Sequence, residues 1–139
     1  MAESHDGGCL CGGVRYRVRG PLRDVTTCHC GECRRSHGNA GAYTACPDDH
    51  LELLSDDGLT WIESPASTTH ARRAFCANCG SSLFWKAPGR DYTAIAAGTV
   101  DEPSGLRSTG HIWWDARADW EVPDGLPAAG GGETPDLPV

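Results

Sequence analysis

Apolar and charged residues alternate along Val14-Arg15-Tyr16-Arg17-Val18-Arg19. A period of two puts one set of side chains on a packed face and the other in water, so this stretch predicts a half-buried strand. Gly20-Pro21 ends it. Val25 to Cys30 predicts a second strand running into a cysteine-rich turn, and Glu32 to His37 a short helical turn stopped by Gly38. Further strands are predicted over Ala42 to Cys46, His50 to Leu54 and Leu59 to Glu63, separated by the turn signals Pro47-Asp48-Asp49 and Asp56-Asp57-Gly58. Thr68 to Phe75 leads into a tight loop, Cys76-Ala77-Asn78-Cys79-Gly80, and Leu83 to Lys86 and Tyr92 to Ala97 follow as the last central strands. The aromatic-rich Ile112 to Trp120 is expected to pack on the sheet. Helical periodicity of any length is absent. Many short strands with frequent turns predict a mainly β domain.

The composition changes at Pro123. From there the chain holds Gly130-Gly131-Gly132, four prolines and no aromatic residue. Such a stretch cannot bury enough apolar surface to offset its ordering entropy. It predicts a flexible, acidic Gly/Pro-rich tail over residues 123–139, after a domain expected over residues 7–122.

The 139 residues fit one domain, and the net charge of −7 lacks the basic face that phosphate neutralisation needs. No nucleic-acid partner is expected. Met1 to Gly8 is polar and lacks the apolar core of a signal peptide, and no run approaches the roughly 20 apolar residues of a membrane span. The expectation is a cytoplasmic protein with no membrane partner. The basic residues are eleven arginines and one lysine, Lys86. Arginine's planar fork suits carboxylates, although codon bias in a GC-rich genome yields the same ratio.

Seven of the eight cysteines sit one or two residues from another: Cys9 and Cys11; Cys28, Cys30 and Cys33; Cys76 and Cys79. In a reducing compartment, clustered thiols read as metal ligands rather than disulfides. Zinc takes four ligands in a tetrahedron, and thiolate suits its structural sites. Cys76 and Cys79 supply half a site, with Gly80 free to take the left-handed turn such a knuckle needs. The other half comes from the Cys9/Cys11 pair or from the triplet. If the pair joins, four thiols close one site, and the triplet is left with three ligands and one open position, the usual layout of a catalytic zinc. Cys46 is either a fourth thiolate for the triplet or a small apolar residue buried in a strand. His29 and His37 are rival fourth ligands, though His29 lies between two cysteines and is expected to point away from their ion. His5 and His50 read as surface residues. A thiolate-rich ion is a weak water activator, so an open site of this kind leans toward binding an incoming thiol.

At this point the chain resembles a known family. Cys9-Leu10-Cys11-Gly12-Gly13-Val14-Arg15-Tyr16, Cys28-His29-Cys30-Gly31-Glu32-Cys33 and Cys76-Ala77-Asn78-Cys79-Gly80 match three signature elements in order, and His111-Ile112-Trp113 with Trp120 matches a late fourth. The resemblance is to the glutathione-dependent formaldehyde-activating enzymes, the CENP-V/GFA domain, over about residues 7 to 120. It implies a β-tent of stacked short antiparallel sheets with zinc knuckles. It implies two zinc ions per chain: a structural one on Cys9, Cys11, Cys76 and Cys79, and a catalytic-type one on Cys28, Cys30 and Cys33. The implied activity is that of a carbon–sulfur lyase joining a small thiol, such as glutathione, to formaldehyde or a related small aldehyde. Cys46 and the tail depart from the family pattern.

Arg34 and Arg35 directly follow the triplet and are the expected binders of glutathione's carboxylates, against a plain surface role. Arg15, Arg17 and Arg19 read as a solvated face. Trp113 and Trp114 line a cleft or pack the core, and His111 is expected to give a proton near the adduct oxygen. The competing functional reading is a non-catalytic, zinc-stabilised binding module. A closed second site would favour it, and an exchangeable ligand there would favour the enzyme. Hydrolysis by zinc hydroxide is disfavoured by the thiolate shell.

Overall fold

The structure, a computed structural model, describes residues 3–132. In chain order its strands are β1 (Ser4–Gly8), β2 (Val14–Arg19), β3 (Val25–Cys28), β4 (Gly41–Pro47), β5 (Leu51–Asp56), β6 (Leu59–Glu63), β7 (Arg72–Cys76), β8 (Ser82–Lys86), β9 (Tyr92–Ala96) and β10 (Ser108–Ile112). One short helix, α1 (Gly31–His37), lies between β3 and β4. The protein is mainly β, as its alternating short segments predict. The strands form two sheets: β1-β2-β5, all antiparallel, and β10-β3-β4-β9-β8-β7-β6, antiparallel except for the parallel β10/β3 pair.

Alternation in β2 is realised along its length. Val14, Tyr16 and Val18 are wholly buried, at about 1.5–3 kcal/mol for each such apolar side chain. Arg15, Arg17 and Arg19 point outward and pair with Asp101, Asp6 and Glu52. These exposed pairs each add little to stability. The buried face of β2 packs on Cys46, Phe84, Ile95 and Val100, which places the main core between the two sheets.

The large sheet uses its other face differently. Cys33, Tyr43 and Ala94 form a second cluster, joined by Cys28, Cys30, Trp85 and Ala96. Successive strand side chains take opposite faces. Tyr43 and Cys46, separated by an odd number of positions on β4, therefore belong to opposite clusters.

Three segments differ from the pattern-based reading. β1, with sequence SHDGG, carries no apolar alternation and is held by backbone pairing with β2, so a strand lies upstream of the first predicted one. β10 lies within a stretch without strand periodicity and joins the sheet edge beside β3. Part of the expected tail is tied down. Backbone N–H groups of His111, Trp113 and Trp114 donate to the carbonyls of Pro127, Gly131 and Ala129, and the Ala129 N–H returns a bond to His111. Ala129 is buried. Main-chain hydrogen bonds need no apolar side chains, which is why composition missed this docking. Residues 133–139 of the expected tail lie outside the described residues.

Candidate functional site

The first thiol cluster is assembled from two loops. Cys9 and Cys11 lie between β1 and β2, Cys76 ends β7, and Cys79 lies in the turn after it. Gly80, with φ of +78°, returns its N–H to the Cys76 carbonyl and closes the knuckle. Gly58, with φ of +97°, passes so near that a Cβ there would meet the Cys76 sulfur at 2.8 Å. Ser81 joins the two halves: its hydroxyl accepts the Leu10 N–H at 2.9 Å and lies 3.2 Å from the Cys79 sulfur. Hydrogen bonds from the Ser81 hydroxyl and backbone N–H hold the Cys79 thiol down at about 5. A tetrahedral zinc with bonds of about 2.3 Å needs sulfurs about 3.8 Å apart. Cys9 and Cys11 are 3.6 Å apart, Cys11 and Cys76 are 3.8 Å apart, and all four sulfurs lie within 4.8 Å of one another. The four thiols fit one closed metal site.

The second cluster is local. β3 ends in Cys28, Cys30 caps α1 by accepting the Cys33 N–H at 3.3 Å, and Cys33 lies one turn into the helix. The three sulfurs lie within 4.8 Å of one another, and no fourth His, Cys, Asp or Glu among the described residues joins them. Donation from the Cys28 and Cys33 thiols and from the Cys33 N–H holds the Cys30 thiol far below its ordinary range, while the proton shared with Cys30 pushes Cys28 up. The set fits a metal held by three thiolates.

The expected rivals for a fourth position are engaged elsewhere. Cys46 is 2% exposed on the opposite sheet face, where burial pushes its thiol up to about 11. His29 is buried and bonds His111, and His37 lies between Tyr43 and Ser82.

The triplet opens on a cavity of about 750 Å³, in the range of small-molecule sites. Cys28, Cys30 and Cys33 share its wall with Tyr43, Trp85, Ile112 and Trp113, and with Arg23, Arg73 and Arg90. Three thiolates and a divalent ion sum to one negative charge, and Arg73 sits where that charge needs an answer. It is 8% exposed, and donates to the Cys33 sulfur at 3.5 Å, the Tyr43 hydroxyl at 3.2 Å and the Ser64 hydroxyl at 3.2 Å. Burial is the largest single effect and works against its charge, but the bond to Cys33 together with the charges of Cys33, Tyr43 and Cys30 outweighs it and raises its pKa. Tyr43, whose pKa burial raises, hydrogen-bonds in turn with His37 Nε2 at 2.6 Å.

Comparison with known proteins decides the family. The model of the glutathione-dependent formaldehyde-activating enzymes matches residues 4–116. The chain belongs to this family. A Halomonas elongata protein, provisionally named a glutathione-dependent formaldehyde-activating enzyme, is 30% identical over 84 residues, 57% of this chain. That match spans 54% of the Halomonas protein, about half its length. A crystal structure of a Rhodobacter sphaeroides protein shares the fold, with a TM-score of 0.59 and 20% identity over 75% of this chain and 99% of that one. Among the described residues no helix is long and apolar enough to cross a membrane.

As a member of the formaldehyde-activating family, the chain departs from the sequence reading at several side chains. Arg34 and Arg35 follow the triplet in sequence but do not line the cavity, because α1 turns them away from it; Arg35 is exposed. His111 also lies outside the cavity wall. Its Nε2–H donates to the Asp124 carboxylate at 2.9 Å, and its Nδ1 meets His29 Nε2 at 2.8 Å, so both ring nitrogens are occupied away from the thiols. His111 is buried between His29 and Asp124. Trp114 stacks edge-on against His29, while Trp113, 45% exposed, reaches the cavity. Arg73 and Arg23 were missed. Alternation gave a signal for Arg73: on β7, Ala74 and Cys76 face the main core, so Arg73 takes the triplet's face. Arg23 lies between strands, where no periodicity applies.

Proposed function

We propose that this protein is a zinc-dependent enzyme of the carbon–sulfur lyase type, adding a small thiol such as glutathione to formaldehyde or a related aldehyde, or reversing that addition. The observation that carries this reading is the second cluster: three thiols with no fourth ligand among the described residues, on the wall of a cavity large enough for a small molecule. A binding module stabilised by two closed sites would need a fourth ligand there.

Cys28, Cys30 and Cys33 would hold the zinc, which would supply Lewis acidity that lowers the pKa of an incoming thiol. The chain's residues do the rest. Cys30 anchors the cluster at the start of α1, where its sulfur accepts the Cys33 N–H. Arg73 balances its negative charge through Cys33 and keeps Tyr43 in place. Tyr43, Trp85, Ile112 and Trp113 form a largely apolar wall, and charge interactions strengthen where water is thinned. In the forward direction a sulfur–carbon bond forms, the carbonyl π pair moves to oxygen, and the thiol proton ends on that oxygen, giving the S-hydroxymethyl adduct.

Formaldehyde and thiols combine spontaneously, so the test reads exchange rather than accumulation. NMR exchange spectroscopy of the adduct should show acceleration by the zinc-loaded protein, lost in Cys30→Ser. No acceleration with any of several cellular thiols would put the binding-module reading first.

A further inference from the structure

Three arginines line the cavity, and their charges are not equally committed. Arg73 is engaged with Cys33, Tyr43 and Ser64. Arg90 lies over the rings of Trp85 and Tyr92 and donates to the Tyr92 hydroxyl at 2.6 Å. Arg23 differs from both. Its side chain has one hydrogen bond, from Nη2 to the Tyr43 carbonyl at 3.1 Å, and its Nε is buried without a partner. Among the described residues no carboxylate pairs with it. The neighbouring Asp24 accepts the Arg107 N–H instead, and Glu32, which also lines the cavity, is engaged with Ser64.

A partly buried guanidinium answered by one carbonyl dipole is out of balance. An arginine serving only as surface cover would keep its head in water; here burial instead pushes the pKa of Arg23 down. The position is also fixed from behind. The Arg23 N–H donates to the Ala45 carbonyl at 3.0 Å, and its own carbonyl accepts the hydroxyl of the fully buried Thr44. A cation held on a rigid backbone, in the wall that also carries the thiols, is pre-organised for an anion.

We propose that Arg23 is the carboxylate-binding residue of this cavity, taking a carboxylate of the thiol whose sulfur sits at Cys28, Cys30 and Cys33. This rests on the thiol-binding reading above and replaces Arg34 and Arg35 in that role. A planar guanidinium matches a carboxylate through paired donors, and with Nε buried and Nη2 giving one bond to the Tyr43 carbonyl, the Nη groups are the ones left to meet it.

The test compares glutathione with its diethyl ester, which keeps the thiol and removes both negative charges. Binding to the zinc-loaded protein is read by calorimetry, with quenching of Trp85 and Trp113 fluorescence as a second readout. The wild type should bind glutathione at least about tenfold more tightly than the ester, the scale of a charge-assisted hydrogen bond. Arg23→Met should weaken glutathione to the level of the ester and leave the ester unchanged. Arg23→Lys should recover part of the difference. Should Arg23→Met not fold, Arg23→Gln serves in its place, since it keeps a donor for the Tyr43 carbonyl and removes only the charge. Equal binding of the two thiols by the wild type, or discrimination that survives in the Met or Gln variant, overturns the role of Arg23 while the thiol reading stands. Binding of neither overturns both.

Discussion

Cys76→Ser and Cys30→Ser each remove one thiol from a cluster, but the two clusters constrain the chain on different scales. Cys11 and Cys76 face each other at 3.8 Å across 65 residues of chain. Treated as a cross-link, closing a loop of that length restricts the unfolded state by about 4 kcal/mol. The triplet spans only residues 28 to 33, and the same relation gives about 2 kcal/mol for so short a loop. With roughly 4 °C of melting temperature per kcal/mol in a domain of this size, Cys76→Ser should melt about 16 °C lower and Cys30→Ser about 8 °C lower. Complete loss of the first ion would remove more, since binding free energy at a closed site is folding free energy and is comparable to the stability of a whole domain. Far-ultraviolet circular dichroism against temperature, with elemental analysis of the same samples, checks both halves. Cys30→Ser should stay folded and keep about one zinc, because its closed site is intact. Equal melting shifts for the two variants, or an unfolded Cys30→Ser, would refute the division into a structural and a catalytic-type site.

Arg73→Met should lower thermal stability by about 3 kcal/mol and weaken zinc retention at the triplet, because it leaves Cys33, Tyr43 and Ser64 without their shared donor; chelator competition followed by elemental analysis measures this. Cys46→Ala should keep full zinc content, since that thiol faces the main core rather than the triplet. A chain ending at Val122 loses the hydrogen bonds to His111, Trp113 and Trp114 and should fall by about 3 kcal/mol in denaturant unfolding. The Asp6 carboxyl is held below its ordinary 3.8 mainly by the hydrogen bond from Arg17. Its small contribution is therefore present above pH 3.8 and lost as pH falls through the lower folded value. Asp6→Asn should reduce the acid dependence of stability relative to wild type, and unchanged dependence would contradict this.

The metal-binding half of the account was legible through spacing and resemblance together. Spacing marked the cysteines as ligands but left the partner of Cys76 and Cys79 open, the family resemblance implied the division into four and three, and the structure brings together the same four and the same three. Strand alternation gave β2 its faces and, read one step further, would have put Cys46 behind the sheet and Arg73 in front of it. The cavity's chemistry was harder to read. Arg34 and Arg35 drew notice through sequence proximity to the triplet, yet a helical turn rotates neighbouring residues apart. Arg23, Arg73 and Trp85 reach the cavity from a connecting segment and two different strands, and only sheet pairing makes them neighbours. Asp124 lies in a stretch whose composition reads as a loose tail, and its contact with His111 depends on backbone bonds that composition does not record.

The central claim is that the triplet holds a metal with a position free for a thiol. Substituting cobalt(II) for zinc makes that position visible, because each thiolate bound to cobalt adds charge-transfer absorption in the near ultraviolet. Glutathione added to the cobalt-loaded protein should increase this absorption and shift the visible bands toward a four-thiolate tetrahedron, saturably, and Cys30→Ser should abolish the change. A spectrum unmoved by glutathione and by other small thiols, on protein loaded with two cobalt ions, would contradict the open site and the enzyme built on it.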